Sequence, residues 1–330
     1  MSDPSNRTIV RRFRHGVILG IVLALVIYVA YASWVGAGEV AAALARFSWG
    51  LLVPLLALSA ANYALRWVRW ELYLRALGIR VPARTSVAVF LAGLAMTVTP
   101  GKVGEFLKSY LLKATSGVPM AVSAPVVLLE RITDLLSLVA LASFGVASYG
   151  GAAGMPVLLS SGAALGVGLV VLRSERLTGH AVAALALLPL GGRLAPKVEE
   201  AARSSRALLG PRLLVSGLVL GALAWACECA GYWLAFRGFG GPAPTLPVSI
   251  FAYAFSTVLG VVSPGGLGPT DIGLVELARQ FTPGLSREVA TAASFLVRLC
   301  TLWFAVLLGA KALLGFRRLL DVDVEKARRD

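Results

Sequence analysis

The sequence is poor in charge, histidine and cysteine, and each shortage excludes a class of function. Only 15% of the 330 residues are charged, whereas a soluble domain carries roughly 25%. His15 and His180 are the only histidines, so histidine-based acid/base catalysis and zinc chemistry are close to excluded. Two of the three cysteines, Cys227 and Cys229, lie inside one apolar segment without a second ligand cluster. We therefore expect no disulfide framework, no metal site and no other cofactor.

What the sequence has in excess is apolar residues. Hydrophobic residues make up 58% of the chain and the mean hydropathy is +0.80, which predicts an all-α polytopic membrane protein. The net charge of +14 would also suit a nucleic-acid partner, but the aromatic residues lie mainly on apolar segments rather than among the basic clusters. Lysine and arginine gather on the cytoplasmic side of membrane helices. The charge therefore favours a membrane surface, and no nucleic-acid partner is expected.

About six apolar segments are long enough to cross a membrane as full helices. They are residues 16–35, 49–67, 123–147, 156–172, 213–236 and 289–314. The first follows a basic N-terminus and is longer than the core of a cleaved signal peptide. We therefore expect a first transmembrane helix with its N-terminus inside, rather than a cleaved or twin-arginine signal.

Two further apolar segments, residues 86–112 and 248–277, carry a Pro-Gly sequence near the middle. Proline removes a backbone donor and glycine favours no single conformation, so both stretches should break a helix. Broken backbone at membrane depth is tolerated only where protein buries it or where it lines a wet cavity. We predict two re-entrant segments, with breaks at residues 99–105 and 263–271. The predicted hinge residues are Pro100, Gly101, Gly104, Pro264, Gly265, Gly266 and Gly268.

The positive charges sort to one side if each interrupted segment returns to the side that it entered. The predicted cytoplasmic side then holds Arg66, Arg69, Arg75, Arg80, Arg84, the connector 173–212, Lys311, Arg317 and Arg318, and the outer side only Arg46, Arg237, Arg279 and Arg287. Both termini would lie in the cytoplasm. Aligning Pro100 with Pro264 brings Gly104 onto Gly268 and puts an arginine-bearing helix after each break. The halves are thus predicted to be inverted repeats, a common transporter design with its site near the midplane.

The chain, residues 1–330, is predicted to form a single membrane domain. Its parts are a basic segment with the first helix (1–48), a first repeat (49–147), a connecting helix with a basic cytoplasmic connector (148–212), a second repeat (213–315) and a charged cytoplasmic tail (316–330). The connector is the largest stretch outside the membrane, and it is too short for a catalytic domain. Any chemistry is therefore expected in or at the membrane, and no catalytic residue is assigned.

Charged residues inside apolar segments are expensive to bury, so each is a functional candidate. We expect Lys102, Lys108, Arg131 and Arg298 to bind a lipid phosphate, and Glu105, Glu130, Asp134 and Asp271 to balance those charges or to carry protons. The alternative is a structural ion-pair network without substrate contact. Glu228 is a further candidate, and Asn62 is expected to form an interhelical hydrogen bond. Four aromatic residues are predicted as anchors at the membrane interface, namely Trp67, Trp70, Tyr73 and Trp233.

Three motifs resemble those of a known family. They are Pro100-Gly-x-x-Gly104-Glu105 with Lys108, Glu130-Arg131-x-x-Asp134, and Pro264-Gly-Gly-Leu-Gly268 followed by Asp271. From residue 49 to about residue 314 the sequence resembles the membrane domain of lysylphosphatidylglycerol synthases and flippase-like integral membrane proteins. The resemblance implies a domain that moves lipid head groups between leaflets. In the full-length synthases this domain is fused to a cytosolic aminoacyl-transferase domain, which we expect this chain to lack.

The sequence departs from the family pattern at two positions. Lys108 stands where the family often has arginine, and Asp271 stands where glutamate is usual. Lysine lacks the bidentate phosphate contact that arginine makes, so this resemblance implies a different head-group geometry.

The leading hypothesis is a flippase or carrier for an anionic or phosphate-bearing lipid, either a phospholipid or a polyprenyl-phosphate conjugate. Membrane lipids would be its partners, and a multi-pass position in the cytoplasmic (inner) membrane is expected. One rival is a membrane-embedded transferase that uses Glu105 or Asp134 as its base. Another rival is a non-catalytic subunit that holds a separate synthase or glycosyltransferase at the membrane. The sequence sets no oligomeric state.

Overall fold

The computed structural model describes residues 25–99, 104–149 and 203–326, together with residues 22, 159, 162, 163, 166, 174 and 176. Three predicted site residues, Pro100, Gly101 and Lys102, lie outside the described residues. So do the start of the first span, most of the span at 156–172 and most of the connector. Every regular element in the described part of the chain is a helix, which confirms the all-α prediction.

The described chain begins with a bent pair of helices. Helix α1 spans Leu25–Val35 and helix α2 spans Ala37–Ala45, and the two axes meet at 96°. Gly36 lies at the bend with a φ of 113°, a region that residues with a Cβ rarely enter. A 3-10 turn at Trp49–Leu51 then leads into the next helix.

The first half contains four helices, two before its break and two after it. Helix α3 spans Leu52–Ala76, α4 spans Ala83–Leu94, α5 spans Leu107–Ser116 and α6 spans Met120–Tyr149. The chain leaves α4 at Ala95 and is helical again from a short turn at 104–106. Gly117 ends α5 in the left-handed conformation with a φ of 69°, as glycine often does after a helix.

The second half repeats this order. A helical turn at 203–208 precedes it. Helix α7 spans Pro211–Arg237, α8 spans Leu246–Leu259, α9 spans Pro269–Gln280, α10 spans Arg287–Arg298 and α11 spans Phe304–Lys326. A 3-10 turn at Pro264–Gly266 lies in the break between α8 and α9. A π turn at Leu299–Trp303 joins α10 to α11.

Helix lengths separate the full spans from the interrupted ones. Trp49–Ala76, Pro211–Arg237 and Arg287–Phe316 are long and apolar enough to cross a membrane, and α1 with α2 would make a fourth span if counted as one. Helices α4 and α8 have only 12 and 14 residues, and at 1.5 Å per residue they fall short of a bilayer core of about 30 Å. The polytopic prediction is confirmed, whereas six full spans remain a prediction.

The helices of the two halves pack against each other in a crossed arrangement. Helix α3 packs along α7, while α6 packs on α8 and α11 packs on α4. Within each half, α5 packs on α6 and α9 packs on α10. The long last helix of each half, α6 or α11, therefore packs against the short helix that precedes the break of the other half.

Two glycines allow a close approach at two of these crossings. A Cβ built at Gly145 of α6 would lie 2.9 Å from the Phe251 backbone nitrogen of α8. A Cβ built at Gly309 of α11 would lie 2.2 Å from the Ala95 backbone nitrogen, just after α4. Backbone cannot yield as a flexible side chain does, so each crossing depends on the missing side chain.

Candidate functional site

A cluster of buried ionisable side chains lies between α3, the start of α5 and α6. This ion-pair cluster comprises Arg66, Arg69, Glu105, Lys108, Glu130, Arg131 and Asp134. It contains four cations and three carboxylates, so it carries one excess positive charge when all seven groups are ionised. Charges are retained in an apolar interior when they are paired.

Asp134 and Glu105 are the carboxylates with the most cationic neighbours. Asp134 lies 2.6 Å from Arg69, 2.9 Å from Arg131 and 3.8 Å from Arg66. Glu105 lies 3.1 Å from Arg131, 3.7 Å from Lys108 and 4.0 Å from Arg66. Arg131 and Arg66 each face both carboxylates, so either arginine has an alternative partner inside the cluster.

Lys108 is buried and enclosed by its neighbours. Its ammonium group pairs with Glu130 and lies 4.9 Å from the Trp70 ring centre and 5.5 Å from that of Phe90. A Cβ at Gly93 would lie 2.4 Å from the Lys108 Cγ atom, so this glycine makes room for the lysine stem. Cation–π contacts and a carboxylate thus surround Lys108.

Two arginines of α3 were not among the predicted site residues. Arg66 and Arg69 were counted among the charges of the cytoplasmic side, but in the structure they are buried, with Arg69 fully enclosed. They belong to a buried ion-pair cluster, a role that their assignment to the cytoplasmic side did not anticipate. Both lie on one helical face with Asn62 and Tyr73, at spacings of three or four residues, and that periodic polar stripe is the signal that would have identified them.

The structure also bears on the aromatic residues predicted as interface anchors and on the hydrogen bond predicted for Asn62. Trp70 and Tyr73 are fully buried, so they are not anchors at the membrane interface. Trp67 and Trp233 are half-buried. Asn62 donates from its side chain to the Ala224 carbonyl of α7 at 2.8 Å, which is the interhelical hydrogen bond that was expected.

The first break is tightened by short local contacts. The Gly104 backbone N–H donates to the Thr99 hydroxyl at 2.9 Å, and that hydroxyl donates to the Met96 carbonyl at 2.7 Å. A Cβ at Gly104 would lie 2.8 Å from side-chain atoms of both residues. Glycine at this position is therefore required by close approach.

The second break is closed by one arginine and one aspartate. The Arg298 Nε atom lies 2.9 Å from an Asp271 carboxylate oxygen, and the Arg298 guanidinium also donates to the Gly265 carbonyl at 2.5 Å. The other Asp271 oxygen accepts from the Gly268 N–H at 2.9 Å. Gly265 and Gly268 have φ values of 59° and 87°, which explains the glycines at these positions.

A central cavity of about 980 Å³, counted with its open mouth, lies between the two halves. Five acidic or basic residues line it, namely Arg66, Arg131, Asp134, Glu228 and Arg298. Three belong to the first half and two to the second half. The rest of the lining includes Thr97 near the first break and Gly265 and Gly266 of the second.

The predicted site residues divide between this cavity and its surroundings. Arg131, Arg298, Asp134, Gly265 and Gly266 line it. Lys108, Glu105, Glu130 and Asp271 are ion-paired behind the lining. Arg66 is a lining residue that the predicted set did not contain, and Glu228, which was a further candidate, also lines the cavity.

Arg66 is the most loosely held of the three lining arginines. Its ion-pair distances are 3.8 Å and 4.0 Å, whereas Arg131 and Arg298 each have an ion-pair contact at 2.9 Å. The buried Nε atoms of Arg66 and Arg131 both lack a hydrogen-bond partner within the described residues, but only Arg66 also lacks a short ion-pair contact. A buried donor without a partner is unfavourable, so Arg66 is suited to bind an anion that enters the cavity.

Two tyrosine hydroxyl groups at the cavity wall form hydrogen bonds between helices. Tyr253 donates to the Glu228 carboxylate at 2.6 Å, which links α8 to α7. Tyr63 of α3 donates to the Thr301 carbonyl at 2.5 Å. Thr301 lies in the π turn, and π turns inside α-helices often occur at functional sites.

The arrangement suits anion binding better than metal binding. Guanidinium groups form charge-assisted, often bidentate hydrogen bonds with phosphate, and these gain strength where water is scarce. Across residues 25–99, 104–149 and 203–326, no three His, Cys, Asp or Glu side chains converge as metal ligands would.

Comparison with known proteins agrees with this architecture. A UPF0104 membrane protein of Methanothermobacter thermautotrophicus is 26% identical, covering 90% of this chain and 94% of its own length. The glycosyltransferase AglD of Haloferax volcanii is 23% identical, covering 94% of this chain but only 56% of its own length. The family described as the lysylphosphatidylglycerol synthase TM region matches residues 17–309. Because the match covers most of the sequence, the chain belongs to the lysylphosphatidylglycerol synthase TM region family.

Proposed function

We propose that this protein is a flippase or carrier that moves a lipid with a phosphate-bearing head group between leaflets. One observation carries the proposal. Three arginines from three helices of both halves, Arg66 of α3, Arg131 of α6 and Arg298 of α10, line the same cavity. Their convergence would allow one phosphate to contact both halves at once.

The carboxylates keep the empty cavity stable. Asp134 and Asp271 neutralise Arg131 and Arg298 when no lipid is bound, because an unpaired buried charge is strongly unfavourable. A phosphate would compete with these carboxylates for the guanidinium groups. Arg66, whose ion pairs are long, would engage the phosphate first.

Lys108 has a supporting role in this proposal. It is enclosed by Glu130, Trp70 and Phe90, and it does not line the cavity in the described residues. Lys108 would hold α5 against α6 and α3, so that the first break keeps its shape while lipid passes.

An inverted repeat would supply the alternating access that such a carrier needs. The crossed packing of α6 on α8 and of α11 on α4 supports an inverted repeat. So do Gly145 and Gly309, which each follow the proline of their own half's break by 45 positions. Positive charge outside the buried stripe, at Arg75, Arg80 and Arg84, supports cytoplasmic termini in the cytoplasmic membrane.

The direct test is transbilayer movement of a fluorescent phosphatidylglycerol in proteoliposomes. Arg66→Gln and Arg131→Gln should each slow movement by about 10- to 100-fold, because a hydrogen bond to a charged group contributes about 1.5–3 kcal/mol. Arg75→Gln is the matched control, since Arg75 is on the same helix as Arg66 and is 74% exposed. Normal movement in both cavity variants, with all proteins equally folded, would overturn the proposal.

A second candidate is a membrane subunit or embedded transferase in lipid glycosylation. Its support is the similarity to a protein named as a glycosyltransferase. The match covers 56% of the length of that protein. Purified protein incubated with labelled sugar nucleotide and polyprenyl phosphate would yield a glycosylated lipid if the chain were a transferase. Co-purification of a soluble enzyme with lipid movement absent would favour the subunit.

A further inference from the structure

An apolar groove runs between α1 and α10, next to the central cavity. Helix α1 forms one wall, α10 and the π turn form the other, and α2 closes one end. Its lining includes Leu25 and Tyr28 of α1, Leu44 of α2, and Phe295, Leu299 and Trp303. Its empty volume is about 900 Å³, counted with its open side.

The groove is separated from the cavity by a thin apolar wall. Leu302 lines the cavity, while Tyr28 and Trp303 line the groove. These side chains pack together with Val98 before the first break and Leu267 of the second break. Residues next to both breaks thus contribute to the wall.

Tyr28 places a polar group at the end of the groove that lies next to the central cavity. Its ring packs on Phe295 with 4.9 Å between ring centres. Its hydroxyl is buried and lies close to the side chains of Arg298 and Trp303. The groove is therefore apolar along its length and polar at the end that adjoins the cavity.

We propose that this groove holds a hydrocarbon chain of the lipid whose phosphate occupies the central cavity, an inference that rests on the proposed function. The open side consists of exposed apolar residues, with Leu25 65% and Leu299 53% exposed, so in a membrane it meets acyl chains. A head group at Arg298 has its chains leaving through the wall at Tyr28 and Leu302. The substrate class is thus an amphiphile with a long chain, not a free phosphate compound.

Photocrosslinking tests the groove directly. Benzoylphenylalanine is placed at residue 299 or, as the matched control, at residue 307 of the same span, where Leu307 is 66% exposed and outside the groove lining. The vesicles contain phosphatidylcholine with a minor share of phosphatidylglycerol. We expect adducts at 299 to be enriched in phosphatidylglycerol, and adducts at 307 to follow the vesicle composition. Equal composition at both positions, or adducts at 299 to a second copy of the chain, would overturn the proposal.

Filling the groove provides a functional arm. Leu299→Trp and Leu25→Trp, from opposite walls, should each slow movement of fluorescent phosphatidylglycerol by about tenfold, because the indole would occupy space that the hydrocarbon chain needs. Leu307→Trp should leave the rate unchanged. Normal rates in both groove variants would contradict the proposal, and the use of two walls guards against a folding defect at one of them.

The two proposals fail in different ways. If the unmodified protein moves no lipid but position 299 still selects phosphatidylglycerol, the flippase function fails and the groove remains a lipid-binding site. If Arg66→Gln slows movement while crosslinking at 299 is unselective and both tryptophan variants are normal, the groove fails and the flippase function stands.

Discussion

The two breaks share a backbone plan but differ in how charge stabilises them. Near the first break, Glu105 faces three cations from three helices. At the second break, Asp271 has one described cationic partner, Arg298, at 2.9 Å. The first is a redundant network and the second is a single pair with backbone contacts.

This difference indicates where each half would yield. A network whose members have alternative partners can lose or exchange one contact and remain neutralised locally. A single buried pair lacks that reserve, since removal of either member leaves the other uncompensated. We therefore expect the second break to respond more sharply to substitution than the network near the first break.

The largest effect is expected at the second break. Arg298→Leu should lower the free energy of unfolding by about 3–5 kcal/mol, because it leaves Asp271 as a buried, uncompensated carboxylate. Unfolding in mixed micelles, followed by tryptophan fluorescence, measures it. Arg298→Leu with Asp271→Leu should recover part of the loss, and the surface pair member Arg279→Leu should change stability by less than about 1 kcal/mol. Equal losses at Arg298 and Arg279 would remove the contrast.

An intermediate effect is expected at the helix crossings, which the two halves share. Gly145→Ala and Gly309→Ala should each destabilise by about 1–3 kcal/mol, because the new Cβ meets backbone of the opposing helix. Similar losses at both positions would support the inverted repeat. Gly315→Ala in α11 is the control, since a Cβ there meets nothing within 4 Å and alanine favours a helix. A loss at only one crossing would count against equivalent halves.

The smallest effect on stability is expected within the network. Arg66→Leu should lower the free energy of unfolding by only about 1 kcal/mol, because Asp134 keeps Arg69 at 2.6 Å and Glu105 keeps Arg131 at 3.1 Å. The same denaturation series measures it beside Arg298→Leu. A loss as large as that of Arg298→Leu would show that the network has no reserve.

Much of the site was predictable because breaks and buried charges are rare in apolar segments. Gly265, Gly268, Arg298 and Asp271 were identified as candidates because their residue types stand out against an apolar background, whereas the positive φ of the glycines and the specific pairing of Arg298 with Asp271 come from the structure. Asn62 was predicted correctly for the same reason: a lone amide in a membrane helix needs a partner.

The direction in which a side chain faces was harder to predict. Arg66 and Arg69 were assigned by their position along the chain, near other arginines, whereas their helical face decides their environment. Lys108 illustrates the converse, since its nearness to the break suggested a phosphate ligand. Its contacts with Trp70 and Phe90 depend on tertiary packing that no local pattern encodes.

The π turn after Arg298 sets the direction in which Gly309 faces relative to Arg298 on the same span. A π turn contains one residue more than the α-helix would, and each residue advances the helix by about 100°. Without Leu299–Trp303 in this form, Gly309 would be rotated away from Ala95 whenever Arg298 faced Asp271. The extra residue lets one continuous span present its arginine to the second break and its glycine to the first half at the same time.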